Sequence, residues 1–213
     1  AENTVHIEGI LKEKRFEATE INGKPVIRGE VDIEVRENEV HTINFFSYKY
    51  KMDSNEENEI YKGLVTVMNE YKAINEVGKE EADRVRITQG RIELNEYYGQ
   101  DGTLRSFPRI SSSFINRVND LSTYNPKAEF KVEVVVKDAR EEFDKEENPT
   151  GRVILDTYIP LYGGKVIPFT FVVVEDGADY VLSNYEAGQT VRIWGDVINY
   201  KEIIEHTIEA AFG

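Results

Sequence analysis

The chain says one thing twice. The segment Arg84-Val85-Arg86-Ile87-Thr88-Gln89-Gly90-Arg91-Ile92 is echoed by Thr190-Val191-Arg192-Ile193-Trp194-Gly195-Asp196-Val197. Each copy closes the same succession: strand, turn-rich loop, strand, tight turn, aromatic strand, then a polar or helical stretch. A period of about 100 residues describes whole small domains and not the units of a solenoid. The 213 residues divide comfortably into two such domains. We place the boundary near residue 118, giving modules 1–118 and 119–213.

Reading along the first copy, Val5 to Lys14 alternates as a strand, with Gly9 permitting a bend. Asn22-Gly23-Lys24-Pro25 is a turn signal, and Val26 to Val35 alternates after it. Ile27, Val31, Ile33 and Val35 share one face of that strand; Arg28, Glu30, Asp32 and Glu34 share the other. Val40 to Lys51 is the densest aromatic stretch. With Ile43 and Phe45 inside, Asn44, Phe46, Tyr48 and Tyr50 point outward and Lys49 falls on the core side. Residues 52–59 read as a loop, and 60–75 as a helix plugging one end of a barrel. Arg84 to Tyr98 is a long fourth strand, Gly99-Gln100-Asp101-Gly102 a hairpin turn, and Thr103 to Ile110 the returning fifth strand.

The stretch from Ser111 to Pro126 reads as the connection, with a short helical pattern at Phe114, Ile115, Val118 and Leu121. Phe130 to Ala139 then restarts the series. An acidic loop follows at 140–149, strands at 152–160 and 166–174 flank the Gly163-Gly164 turn, and residues 180–186 read as one helical turn or loop. A strand over 189–200 matches the fourth strand, and Glu202 to Phe212 is a fifth strand or a short helix. Arg28 registers against Arg152, 124 residues later, while the fourth strands lie about 105 apart; the first copy therefore holds the extra helix. Strand-strand-strand-(helix)-strand-strand with a long, glycine-containing fourth strand is the order of an OB-fold barrel. The expectation is a mainly β chain of two tandem OB-fold-like, five-stranded barrels, the first with a helix between its third and fourth strands.

In that fold, ligands use the outer face of strands 2 and 3 and the loops joining strands 1 to 2 and 4 to 5. The first copy places Arg28, Asn44, Phe46, Tyr48 and Tyr50 on that face, with Lys12, Lys14, Arg15, Phe16 and Lys24 around the first loop and Lys49 capping the strand end. Tyr97, Tyr98, Arg105, Phe107 and Arg109 stand on the second loop and its stems, and Arg86 lies on the fourth strand. Rings interleaved with cations suit single-stranded nucleic acid, because rings stack on any base while Lys and Arg follow phosphates. Aromatic residues also favour strands for packing alone, so a ring that covers a neighbouring loop is the competing reading. On the second copy the outward positions Val166, Thr170 and Val172 suggest a protein contact. Trp194 is expected in the core, and Tyr158, Tyr162 and Tyr200 as outliers of the track.

Charge argues the other way. With 40 acidic against 26 basic residues, the net charge of -14 disfavours general adhesion to phosphate polymers. The basic residues concentrate in the first module, which has 17 of them against 22 acidic; the second has 9 against 18. There are no cysteines, which removes disulfides, thiolate zinc sites and thiol nucleophiles. His6, His41 and His206 show no metal or catalytic spacing, no phosphate-binding glycine loop follows a strand, and the acidic run 141–147 reads as a solvated loop. We expect no enzyme, no metal and no cofactor. The absence of an apolar stretch long enough to span a bilayer, and of a signal pattern, reads as a soluble, cytoplasmic protein with no membrane partner.

The start Val5-His6-Ile7-Glu8-Gly9-Ile10-Leu11, the Gly-Lys-Pro turn before Val26, the strand Phe45-Phe46-Ser47-Tyr48-Lys49-Tyr50 and the paired Val-Arg-Ile strands resemble a known family. It is the tandem OB-fold single-stranded DNA-binding proteins of bacteriophages and mobile elements of Gram-positive bacteria. The resemblance implies sequence-independent coating of single-stranded DNA in replication or recombination, in the host cytoplasm if phage-encoded, with replication or recombination proteins as partners and no catalytic residue. The family's acidic, partner-recruiting tail has no counterpart in Ala210-Ala211-Phe212-Gly213. The alternative is a structural or adaptor protein that binds another protein through paired β-barrels, and a carbohydrate-binding module stands third.

Overall fold

Two long antiparallel ladders of the same design organise the chain, and a computed structural model describes residues 1–199 of it. The strands are β1 (Asn3–Ile21), β2 (Lys24–Arg36), β3 (Glu39–Tyr48), β4 (Arg84–Tyr98), β5 (Leu104–Ser111), β6 (Asn116–Arg117), β7 (Lys127–Phe143), β8 (Pro149–Pro160), β9 (Val166–Val173) and β10 (Thr190–Asp196). Three helices join them: α1 (Glu59–Glu70), α2 (Ile74–Val77) and α3 (Glu175–Asn184). The chain is mainly β, and both halves follow the OB order. They read β1-β2-β3-α1-β4-β5 and β7-β8-β9-α3-β10.

Two compact units interleave in sequence. The first holds residues 7–86, 115–128 and the described residues from 197; the second holds 1–6, 87–114 and 129–196.

In the first unit, Asn22 and Gly23 both take positive φ, 51° and 73°, the two-residue turn whose twist suits a hairpin. That turn sets the β1–β2 register, pairing Ile21 with Lys24 and Glu17 with Arg28. β3 pairs with β2, setting Phe46 opposite Arg28 and Tyr48 opposite Val26. The core is the inward row of these strands: Ile7, Leu11, Val31, Ile33, Ile43 and Phe45. Gly29 is required where β1 crosses β2 closely, because a Cβ there would lie 2.1 Å from the carbonyl oxygen of Arg15. Gly9 makes a similar approach, 2.4 Å from the oxygen of Glu34.

Helix α1 packs on β2 and β3 through Leu64 and Val67, with the Asn58 side chain accepting from the amide of Ile60 at its start. It ends five residues earlier than the sequence suggests. Lys14 donates to the carbonyls of Met68 and Tyr71, a partly buried cation at the helix C-terminus. Tyr71 leaves the helix in an extended conformation, and its hydroxyl donates to the carbonyl of Ile115 at 3.0 Å. The connection over 111–126 is extended and not helical: Ile115 and Val118 are buried, Phe114 and Leu121 are exposed, and β6 pairs with the start of β4. Only Leu121–Thr123 forms a single 3-10 turn.

In the second unit, β7 pairs with β8 and β10, and β9 with β8. Val132, Val134, Val136, Leu155, Ile159 and Ile167 form the core. β7 runs on through residues expected in a loop and turns only at 144–148. There the carboxylate of Asp144 accepts from the amides of Glu146 and Asn148 at 2.9 and 2.8 Å. Residues 180–186 belong to the full helix α3, which packs on β8 and β9. Gly177, Asp176 and Asp179 dilute its propensity, and burial of Ala178 and Val181 on one side decides it. Tyr200 and 202–212 lie outside the described residues.

The repeat extends to side-chain detail. In the first unit Asp32 accepts from Arg15 at 2.9 Å and from Thr42 at 2.6 Å; in the second, Asp156 accepts from Arg140 and, at 2.7 Å, from Thr170. The ladders break register at matching places, between Leu11 and Glu13 and between Val136 and Asp138. Such bulges bend a strand and sharpen its twist.

Candidate nucleic-acid interface

On the first unit the outer face of β2–β3 carries two rings, and a third stands just past the end of β3. Phe46 and Tyr48 are 45% and 43% exposed, as strand alternation requires once Ile43 and Phe45 are inside; Tyr50, past the end of β3 and bridged to Glu57, is 42% exposed. Phe46 and Tyr48 meet edge to face with centroids 5.1 Å apart. Lys49 is half-buried, with its ammonium 5.5 Å from the Tyr50 ring and 4.0 Å from Glu57. Lys24 is exposed at the turn and has no ion-pair partner among the described residues.

The arginines of this face are occupied. Arg28 donates to Glu17 at 2.8 Å, both side chains being more than half exposed. Arg15 is held by Glu30, Asp32 and Glu13, and the Asp32 bond raises its pKa further above the ordinary arginine value. Burial pushes the Asp32 carboxyl up, but the bonds from Arg15 and Thr42 outweigh it, and the net shift is downward. Arg86 is committed elsewhere: it grips the buried carboxylate of Glu8 at 2.8 Å and donates to the carbonyl of Thr123, and the Glu8 bond raises its pKa. Phe16 turns inward. It sits opposite Gly29 and packs on the buried Phe45 with centroids 5.9 Å apart. Arg15, Arg86 and Phe16 are therefore parts of the fold and not of the exposed track.

On the second unit the β4–β5 hairpin presents Tyr97 opposite Arg105, Asn95 opposite Phe107 and Glu93 opposite Arg109. These share one face, and the rings of Tyr97 and Phe107 meet at 6.1 Å. Tyr98 and Leu104 pair on the other face, and both are exposed. Carboxylates attend the cations here too: Arg105 lies 3.4 Å from Asp101 and Arg109 2.8 Å from Glu93. Val166 and Val172 are half exposed, as their outward positions on β9 require.

Trp194 is a correction. Expected in the core, it is 75% exposed, and its counterpart Thr88 is exposed as well. The signal was available in its parity: Trp194 shares a face of β10 with Arg192 and Asp196, all exposed, while Val191, Ile193 and Gly195 turn inward. The carboxylates Glu17, Glu93 and Asp101 attend the cations of these faces. For Glu17 the two-residue turn at Asn22-Gly23 fixes the partner, since counting back from it sets Glu17 across from Arg28.

Among the described residues no group of three or more His, Asp or Glu side chains is placed to hold a metal ion, and no helix is long and apolar enough to cross a membrane. Strand order, face and hairpin define an OB-type β protein. The YorF family model matches residues 1–213, and the chain belongs to that family. No curated protein matches it. Among solved structures, a deletion and point variant of the single-stranded DNA-binding protein from Thermus aquaticus is similar at 10% identity. The likeness covers 98% of each chain, with a TM-score of 0.53, which speaks to the fold. A replication protein A heterotrimer bound to single-stranded DNA matches over 87% of this chain and 42% of its own, at 11% identity. Its TM-score of 0.23 is too low to carry an argument.

Proposed function

We propose that this protein is a non-enzymatic, sequence-independent single-stranded DNA-binding protein. The observation that carries the reading is the exposed set Phe46 and Tyr48 on the β2–β3 face of an OB barrel and Tyr50 just past the end of β3, with Arg28, Lys24 and Lys49. Rings that an isolated domain would bury are left in water, where bases can stack on them at about 1–3 kcal/mol each. Tyr97, Phe107, Arg105 and Arg109 offer a second surface of the same composition on the β4–β5 hairpin, with Tyr98 exposed on its other face. We take residues 1–118 as the main ligand module and 119–213 as the more acidic one. The structural likeness to a single-stranded DNA-binding protein supports the reading, and the sequence resemblance supports a role in phage or mobile-element replication or recombination, in the cytoplasm of the host.

Titration of fluorescently labelled oligothymidine, followed by anisotropy at two salt concentrations, tests it. Tight binding that weakens with salt is the expected result, because phosphate contacts release counterions. Absence of binding at low micromolar protein and low salt refutes it. The exposed Val166 and Val172 of β9 favour a second reading, an adaptor that binds another protein; sedimentation with and without single-stranded DNA separates the two.

A further inference from the structure

We propose that the outward face of β10, β7 and the start of β1 is a further base-stacking subsite for single-stranded DNA, with Trp194 as its platform and Lys131 as its phosphate partner. The inference rests on the reading above and extends it to a face that the OB strand order does not point to.

Among the described residues, three exposed rings stand directly across an antiparallel ladder from a cation. Phe46 faces Arg28, Tyr97 faces Arg105, and Trp194 faces Lys131. Residues directly opposite in an antiparallel pair share a face at the closest side-chain spacing, so each pair presents a stacking surface and a positive charge within one nucleotide's reach. In all three the cation leans on one carboxylate: Arg28 on Glu17, Arg105 on Asp101, and Lys131 on Glu2 at 3.5 Å. The first two pairs lie on the surfaces already assigned to DNA. The third has the same construction and the most exposed ring.

The surroundings of Trp194 give the subsite its shape and direction. A groove of about 580 Å³ is lined by Trp194 and Lys131, by Thr4 and His6 of β1, and by Glu129 and Asp196. Glu129 and Asp196 sit opposite one another, so the carboxylates of the groove lie at one end and Lys131 at the other. The nucleic-acid backbone has to pass along the side of Lys131 and Thr4, leaving a base over the indole. Trp, with the largest π face, is the strongest stacking platform among the side chains.

Trp194 is the only tryptophan, so the tryptophan emission of the protein reports on this one groove. Unlabelled oligothymidine is titrated into the protein with selective tryptophan excitation, in parallel with anisotropy of the labelled strand. Quenching that saturates together with the anisotropy is expected. Trp194→Ala should weaken binding about 5- to 150-fold, Trp194→Phe should retain most of the affinity, and Lys131→Gln should lower the salt slope by about 0.7. If the strand binds by anisotropy while the emission is unchanged, or if Trp194→Ala binds like the parent, the subsite is refuted and the general DNA reading stands. If no strand binds by either signal, both fail together. Circular dichroism of the Ala variant, with the Phe variant beside it, excludes misfolding as the cause of a loss.

Discussion

Removing the carboxylate of Glu17 should tighten DNA binding. Arg28 stands across from Phe46 on the proposed binding face, yet its guanidinium rests on Glu17 at 2.8 Å, with side chains 54% and 57% exposed. A phosphate arriving at Arg28 has to displace that carboxylate. Exposed pairs of this kind are worth about 0.2–1 kcal/mol, so Glu17→Gln should improve affinity by about 1.4- to 5-fold if Arg28 meets a phosphate. The freed arginine should also steepen the plot of log affinity against log salt by up to about 0.7, the increment for one phosphate contact on a single strand. The cost to the fold is small, at most about 4 °C in Tm for a chain of this size. Anisotropy titrations of labelled oligothymidine across a salt series measure both quantities, and Arg28→Gln alone and combined with Glu17→Gln completes a double-mutant cycle. In the Arg28→Gln background the Glu17 effect should shrink to the small benefit of one less negative charge. Equal or weaker binding by a folded Glu17→Gln protein would show that Arg28 meets no phosphate.

Three further outcomes follow from the geometry. Tyr48→Ala combined with Tyr50→Ala should cost about 2–6 kcal/mol of binding with little change in Tm, since both rings are half in water; an unchanged oligothymidine affinity would remove this face from the site. Gly29→Ala should destabilise the protein by about 1–3 kcal/mol or more, because its Cβ meets the backbone of Arg15 and Phe16; a urea midpoint equal to the parent's would contradict that crossing. The Asp32 carboxyl is held below its ordinary value, so its contribution is complete above about pH 4 and is lost as the pH falls through the lower folded pKa. Urea midpoints measured downward from pH 5 should therefore fall less steeply for Asp32→Asn than for the parent, and parallel curves would refute the assignment.

How far the sequence reaches is visible in particular residues. The Asn22-Gly23 turn and the alternation of β2 and β3 are local properties. They determined the strand order, the register that sets Glu17 against Arg28, and the outward direction of Phe46 and Tyr48 before any packing was known. The long fourth strand and its hairpin were legible for the same reason, because period-two patterning needs only neighbours along the chain. Helix ends were not. Lys14, more than 50 residues away in sequence from Met68 and Tyr71, binds the carbonyls at the end of α1, and burial of Ala178 and Val181 overrides the weak propensity of α3.

The fate of the charges was legible locally only in part. Arg15, Arg28 and Arg86 look alike in sequence; the β1–β2 hairpin register sets Glu30 across from Arg15 and Glu17 across from Arg28, but only the folded chain brings the buried Glu8 to Arg86. Phe16 and Trp194 show the same division for rings: alternation says which residues share a face, but only the packing of one strand on another decides which face is wet. What the sequence settled on its own is the β architecture and a row of outward rings, since both follow from the chain's local periodicity. Which cations remain available beside those rings was decided by contacts between distant segments, because Coulomb and hydrogen-bond partners are chosen by distance in space and not along the chain.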